Sequence, residues 1–393
     1  MPYAKRCLVC GSDDVISYDE YGKLHRVTSD SRIWHTGGRI FQCQTCGLVH
    51  KPFDALSEKE VGEIYETYQL YFQGQGGEQK IFISGVGKPR SAILTEHYFE
   101  HATLLAENQH PPSWLDVGCG RGDLLRALSK HDNAWHLFGT DLGDKYKATV
   151  EEIEGVQTYF ADGVDALQDC FDVISMSHVL EHISQPVSFL EKLHSHLNNN
   201  GHLLIAVPNW HQNPFDLLIA DHYIHFTLDA LSRLVESVGF KIITASDTLI
   251  PKELVLLAQK SDRHSEKTAI EGDAQKILYN TKLLEKMLAW LEQNVAWANT
   301  YISQNGHSQL GVFGTALAAT WLDHSTQKGC SFFVDEDLQR ASGQYLDRPV
   351  YLPKDAPTNS VVLLPMYGVV AESISTRLNT IGDVQYVMPP DLS

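Results

Sequence analysis

Long apolar runs are missing from this 393-residue chain, and so is any excess of positive charge. No uninterrupted hydrophobic segment reaches the ~20 residues that a bilayer-spanning helix needs. The opening Met-Pro-Tyr-Ala-Lys-Arg-Cys lacks the apolar core of a secretory leader, so a cytoplasmic protein is expected. Lysine and arginine number 31 against 49 aspartates and glutamates, a formal net charge of −18. That balance argues against a nucleic-acid backbone or an anionic membrane as the main partner. A phosphorylated small molecule remains compatible, because a local pocket can oppose the overall sign. Cysteine is scarce at seven residues, and a structural disulfide framework is not expected in a reducing compartment.

Four of the seven cysteines form a pattern. Cys7-Leu-Val-Cys10-Gly11 and Cys43-Gln-Thr-Cys46-Gly47 are matched pairs, each followed by glycine. Two such turns present four soft ligands to one ion, and Zn²⁺ fits that set best. Four thiolates leave no open coordination position, so the metal would staple the segment and not catalyse. Cys7, Cys10, Cys43 and Cys46 are therefore the expected ligands, in a zinc-binding module over residues 1–53.

Residues 54–110 read as a helical connector and possible substrate lid, with helices over 54–72 and 91–105 around the glycine-rich stretch Gly74-Gln-Gly-Gly77. Tyrosines of this region and Phe72 are candidates for substrate contact. From 111 to 260 strand and helix signals alternate. Strands are expected at 114–117, 135–140, 171–176, 203–207 and 240–245, and helices at 123–129, 187–196 and 228–237. This is the order of an open parallel sheet covered by helices, an α/β fold of the Rossmann-like kind. Residues 261–393 read as a polar linker, a helix over 277–295 and a second Rossmann-like domain. Its strands begin at Leu310-Gly-Val-Phe-Gly-Thr315, Ser331-Phe-Phe-Val-Asp335 and 360–364.

The most informative run is Trp114-Leu-Asp-Val-Gly-Cys-Gly-Arg-Gly-Asp123, a strand entering a glycine turn and then a helix. Gly118, Gly120 and Gly122 let a nucleoside-like cofactor approach the backbone. Asp116 could order the loop or receive the cofactor's amino group. Asp141 sits where a carboxylate can hold both ribose hydroxyls. Asp162-Gly163 could place a second carboxylate beside an adenine amino group. Cys119, Leu142, Ser177 and His178 complete the expected cofactor lining.

Taken in order, WLDVGCGRGDLL at 114–125, Asp141, Ala161-Asp162 and FDVISMSHVLEHISQP at 171–186 resemble the motifs of class I S-adenosylmethionine-dependent methyltransferases. A dinucleotide site or a degenerate scaffold is the competing reading. The whole chain resembles more closely the sugar C-methyltransferases that act on nucleotide-linked keto-sugars in deoxysugar biosynthesis. Those proteins join a four-cysteine zinc domain, a methyltransferase domain and a C-terminal Rossmann-like domain. The resemblance implies S-adenosylmethionine and Zn²⁺ as cofactors and a nucleotide-linked sugar as acceptor.

In Asp221-His222-Tyr223-Ile224-His225-Phe226-Thr227, His222 matches the family's base and Asp221 replaces its glutamate. The segment is expected to be a loop over the sheet's ligand-binding edge. His222 would remove the proton alpha to a sugar carbonyl, and Tyr223 or a neighbouring histidine such as His178 would steady the enolate. The alternatives are an O- or N-methyltransferase of a small metabolite, where Asp221-His222 only orients the acceptor, and a non-catalytic binding protein. A nucleic-acid substrate lacks the basic–aromatic track it would need.

Overall fold

The computed structural model describes residues 5–68, 78, 80–83, 86–102, 111–132, 134–261, 270–305, 310–327, 329–341 and 343–391. The glycine-rich connector at 74–77, Phe72 and most of the polar linker lie outside them. No helix among the described residues is long and apolar enough to cross a membrane.

The central sheet has seven strands: β1 (Ser113–Val117), β2 (His136–Thr140), β3 (Val156–Phe160), β4 (Phe171–Ser177), β5 (Leu197–Pro208), β6 (Phe240–Ser246) and β7 (Glu253–Lys260). Their order is β3-β2-β1-β4-β5-β7-β6. The expectation of a parallel sheet holds from β3 to β5, but β7 runs antiparallel to both β5 and β6. The reason is the short link from Ser246 to Glu253. A parallel return needs a dozen or more residues to cross over, so this link can only turn back as a hairpin.

Side chains alternate across the sheet, as strand geometry demands. Leu115, Val117, Ile174, Met176, Leu203 and Ile205 join one core with Leu190, Leu193, Leu231 and Leu234 of helices Pro186–Ser195 and Leu228–Ser237. Trp114, Val173, Leu204 and Ala206 face the other way, onto Tyr98 of helix Arg90–His101 and Leu125 and Leu128 of helix Asp123–His131.

The N-terminal part builds a four-stranded antiparallel sheet from Val15–Ser17, Phe41–Cys43, Val49–His50 and Ile224–His225. The fourth strand comes from the central part of the chain. Residues 221–223 are turn and coil, while the two residues that follow form a strand of this N-terminal sheet. Ile224 pairs with His50 and His225 with Val49.

After helix Ala274–Asn305, a six-stranded sheet runs Gln344–Tyr345, Arg348–Tyr351, Phe332–Val334, Leu310–Phe313, Val361–Leu363, Gln385–Val387. All its pairings are parallel except the first. One apolar cluster ties the parts together, with Tyr21 and Val27, Trp210 and Phe215, Trp290 of the long helix, and Leu310 and Trp321. Phe215 meets Trp290 and Trp321 edge-on at 5.7 and 5.4 Å. Truncating Phe215 to alanine should cost about 3–5 kcal/mol. The shared core further predicts that chemical denaturation of this variant shows N- and C-terminal probes losing stability together. A loss confined to one part would contradict a common core.

Candidate functional site

The glycine turn after β1 is shaped by crowding. Gly118 has φ +66, and a Cβ there would lie 2.3 Å from Val179 Cγ2, so a larger residue would clash with the segment that follows β4. The Gly118 and Cys119 amides both donate to the Thr140 carbonyl. Asp141 follows β2 directly. Its carboxylate accepts from the Gly120 amide at 2.8 Å and the Leu142 amide at 2.7 Å. Burial raises its pKa, partly offset by those two bonds.

Asp116 is buried and accepts from Ser175 Oγ at 2.7 Å, while Trp114 Nε1 donates to the same hydroxyl. Burial pushes the Asp116 pKa up to about 7. Asp116 thus orders the floor beneath the loop. Cys119 is also buried, with its thiol against Gly139, leaving its backbone toward the loop. Leu142 is exposed and bridges to Asp162, and the Gly163 amide donates to the Asp141 carbonyl. Ser177 ends β4 half-buried.

Beyond β4 lies a network of imidazoles and carboxylates. His178 has φ +56. It forms ion pairs with Glu181 at 3.3 Å and Glu253 at 3.4 Å, and Arg90 binds Glu253 at 2.7 Å. Burial and Arg90 disfavour a charged ring, but Glu253 and Glu181 outweigh them and raise the His178 pKa to about 9. The two carboxylates therefore favour the cationic form of the ring. Glu181 is 1% exposed, and beyond the His178 ion pair its carboxylate has no hydrogen-bond partner among the described residues.

His222 is 3% exposed, and its Nδ1 lies 2.9 Å from Asp216 Oδ1. The other Asp216 oxygen lies 2.7 Å from His225 Nδ1. The ring of His182 stands edge-on to His222 at 4.6 Å, and Tyr65 stands edge-on to His182 at 6.1 Å. Burial drives the His225 pKa down to about 4 despite Asp216.

The expected acid–imidazole pair is replaced by another. Asp221 does not face His222. Its carboxylate accepts from the Ser29 amide at 2.9 Å and lies 3.4 Å from His182 Nδ1. A turn in which the His222 amide donates to the Ile219 carbonyl sends the two neighbours apart. Tyr223 also leaves the cluster. It packs edge-on against Phe53, and its phenol faces Ser57 of helix Ala55–Glu66. Asp216, Glu181 and Glu253 are the groups that sequence reasoning missed. The only signal was the Val179-Leu-Glu-His182 run, read there as a motif and not for its carboxylate.

Four sulfurs converge at the N-terminus. Cys7 Sγ lies 3.5 Å from Cys46 Sγ, and Cys10 Sγ lies 3.5 Å from Cys43 Sγ. All four fall within 4.8 Å of one another. A tetrahedral ion with ~2.3 Å bonds to sulfur spaces its ligands about 3.8 Å apart. The cradle fits such an ion, and the separations are far longer than a disulfide bond. Gly11 and Gly47 take φ +73 and +76 to close the turns, and their amides donate to Cys7 and Cys43 carbonyls. Among the described residues, Glu181–His182–His222 and Asp216–His222–His225 are the other groupings close enough to share an ion.

Residues 96–245 match the family model of the methyltransferase domain. The mitochondrial ubiquinone biosynthesis O-methyltransferase of Schizosaccharomyces pombe is 23% identical over 159 residues, covering 39% of this chain and 56% of that protein. The ubiquinone biosynthesis O-methyltransferase of Pseudomonas syringae pv. tomato is 27% identical over 127 residues, 30% of this chain and 53% of that protein. The chain thus spans about half the length of these curated relatives. Among solved structures, the 1,6-didemethyltoxoflavin-N1-methyltransferase of Burkholderia thailandensis aligns with a TM-score of 0.37 and 20% identity, over 55% of this chain and 96% of that one.

The family match and the glycine loop define the class. The chain carries an S-adenosylmethionine-dependent methyltransferase domain of the class I, Rossmann-like fold.

The charge on His178 makes a pH prediction. A pKa raised to about 9 means that its contribution to stability is full below the unfolded histidine value, roughly 6.5, and lost as pH rises through about 9. His178→Asn tolerates the positive φ and lacks the charge. The advantage of the wild type over this variant in urea denaturation should shrink between pH 6 and pH 9.5. A constant difference would show that His178 is not held as a cation.

Proposed function

We propose that the protein methylates a small-molecule acceptor held between the glycine loop and the His182–His222 pair. One observation carries this reading. Asp141 and His222 both lie in segments that follow carboxyl ends of central-sheet strands, so the carboxylate proposed to hold the cofactor and a buried imidazole share one edge. In open α/β sheets that edge is where ligands bind.

S-adenosylmethionine supplies an electrophilic methyl group when bound. Asp141 would accept from ribose hydroxyls with the lone pairs left over from Gly120 and Leu142, and Asp162 stands next along the rim. Gly118 and Gly120 keep the loop thin. His222 would hold the proton that leaves the acceptor, and His178, with both ring nitrogens turned to Glu181 and Glu253, would fix those two carboxylates beside the loop. Tyr65 stands edge-on to His182 at the rim of this space.

The curated relatives are O-methyltransferases, which supports an oxygen acceptor. A second reading is transfer to the carbon alpha to the carbonyl of a nucleotide-linked keto-sugar, which needs a base, and His222, buried with a carboxylate on Nδ1, would supply one. The domain order along the chain supports the same reading. Full-length protein, methyl-labelled S-adenosylmethionine and two acceptor panels, small hydroxylated metabolites and nucleoside diphosphate keto-hexoses, test both. We expect labelled product from one panel, and carbon–proton correlation locates the methyl. Loss of His222 to alanine should slow turnover by about 100-fold or more, the usual size of a general base's contribution. Absence of product from both panels in protein that binds the cofactor would count against the proposal.

Cys7, Cys10, Cys43 and Cys46 would hold a structural Zn²⁺ that closes the N-terminal module. Metal analysis should give one zinc per chain, and Cys43→Ser should lose it and lower thermal stability. Full stability in metal-free protein would contradict a stapling role.

A further inference from the structure

We infer that Asp216 is the residue that positions His222 as a base, by fixing its tautomer and ring plane. This inference rests on the reading in which His222 receives the acceptor's proton. Asp216 lies in the short helical turn Pro214–Leu218 and is 1% exposed. Its amide donates to Asn213, its carbonyl accepts from Ile219, and Ile219 in turn accepts from the His222 amide. These turns bring residues six and nine positions apart onto one carboxylate.

An ionised carboxylate only accepts hydrogen bonds. With Asp216 Oδ1 at 2.9 Å from His222 Nδ1 and Oδ2 at 2.7 Å from His225 Nδ1, both imidazoles must carry hydrogen on Nδ1. Neutral His222 then has its lone pair on Nε2, the nitrogen turned away from Asp216. The carboxylate cannot swing aside, because His225 holds its second oxygen. His225 is in turn held by backbone pairing to Val49. The anchor of the proposed base therefore reaches into the N-terminal sheet.

The proton balance is simple. The acceptor's C–H or O–H bond breaks, its electron pair stays on the acceptor, and the proton joins His222 Nε2. The hydrogen on Nδ1 stays in place, and Asp216 remains a carboxylate beside the new imidazolium. Such a buried carboxylate stabilises the imidazolium and enforces the tautomer without being protonated itself. Other charged or titratable groups bear on the pair: Glu181 and His182 beside His222, Asp221 on the same segment, His225 across Asp216, and buried Lys51 from the N-terminal part.

The test is long-range proton–nitrogen correlation NMR on full-length zinc-loaded protein with ¹⁵N-labelled histidine, assigned with His222→Asn and His225→Asn. We expect wild-type His222 in its neutral form to show protonated Nδ1 and free Nε2. Asp216→Asn offers one acceptor and one donor, so at least one of the two rings must change tautomer. With a nucleoside diphosphate keto-hexose in D₂O, alpha-proton exchange should fall about 100-fold or more, while affinity for S-adenosylhomocysteine changes less than threefold.

Protonated Nε2 in neutral wild-type His222 would overturn the inference. So would an Asp216→Asn protein whose two imidazoles keep both tautomers. The wild-type spectrum decides even if the variant fails to fold. If the tautomers respond as expected but His222→Asn leaves exchange and transfer intact, the positioning of the ring stands and the reading of His222 as base fails.

Discussion

Strand direction in the central sheet is the constraint on which the site depends. Parallel β1, β2, β4 and β5 send all their following segments to one edge. β1 delivers the glycine turn, β2 delivers Asp141, β4 delivers His178, Glu181 and His182, and β5 delivers the segment with Asp216 and His222. Groups up to about a hundred residues apart in sequence thereby meet without any long-range signal being written locally. The antiparallel β7 adds Glu253, whose carboxylate holds His178 and Arg90.

The N-terminal module is joined to this edge by backbone. Cys43 ends one strand of its sheet, Val49–His50 forms the next, and Ile224–His225 completes the row. The cysteine cradle is thus two strands away from an imidazole that shares Asp216 with His222. Lys51 strengthens the seam, since its amide donates to the Tyr223 carbonyl and its ammonium to that of Ile219. Burial lowers the Lys51 pKa to about 7, an effect that Arg26 reinforces and nearby carboxylates oppose. The N-terminal strands and the histidine segment therefore share one sheet and its hydrogen bonds.

Local patterns made much of this legible. The glycine turn, the expected strands of the central sheet and the two cysteine pairs are short-range signals, and the structure places them as elements and clusters. Three features were hidden for physical reasons. β7 is a continuous apolar run, and its direction is set only by the length of the preceding link. Asp216 reads as one polar residue in an apolar stretch, because its two partners come from a turn and a strand further along. Asp221 and His222 look like a pair by adjacency, yet one turn of backbone sends the first to Ser29 and the second to Asp216. Adjacency reports little about side-chain direction where the chain bends, and that is where catalytic groups gather.

The account stands or falls on the carboxyl edge of the sheet as a methyl-donor site. Isothermal titration of the full-length, zinc-loaded protein with S-adenosylhomocysteine tests that most directly. One site per chain, lost in Asp141→Ala and retained in His222→Ala, is the predicted result. No heat of binding by folded wild-type protein, or binding indifferent to Asp141, would contradict it.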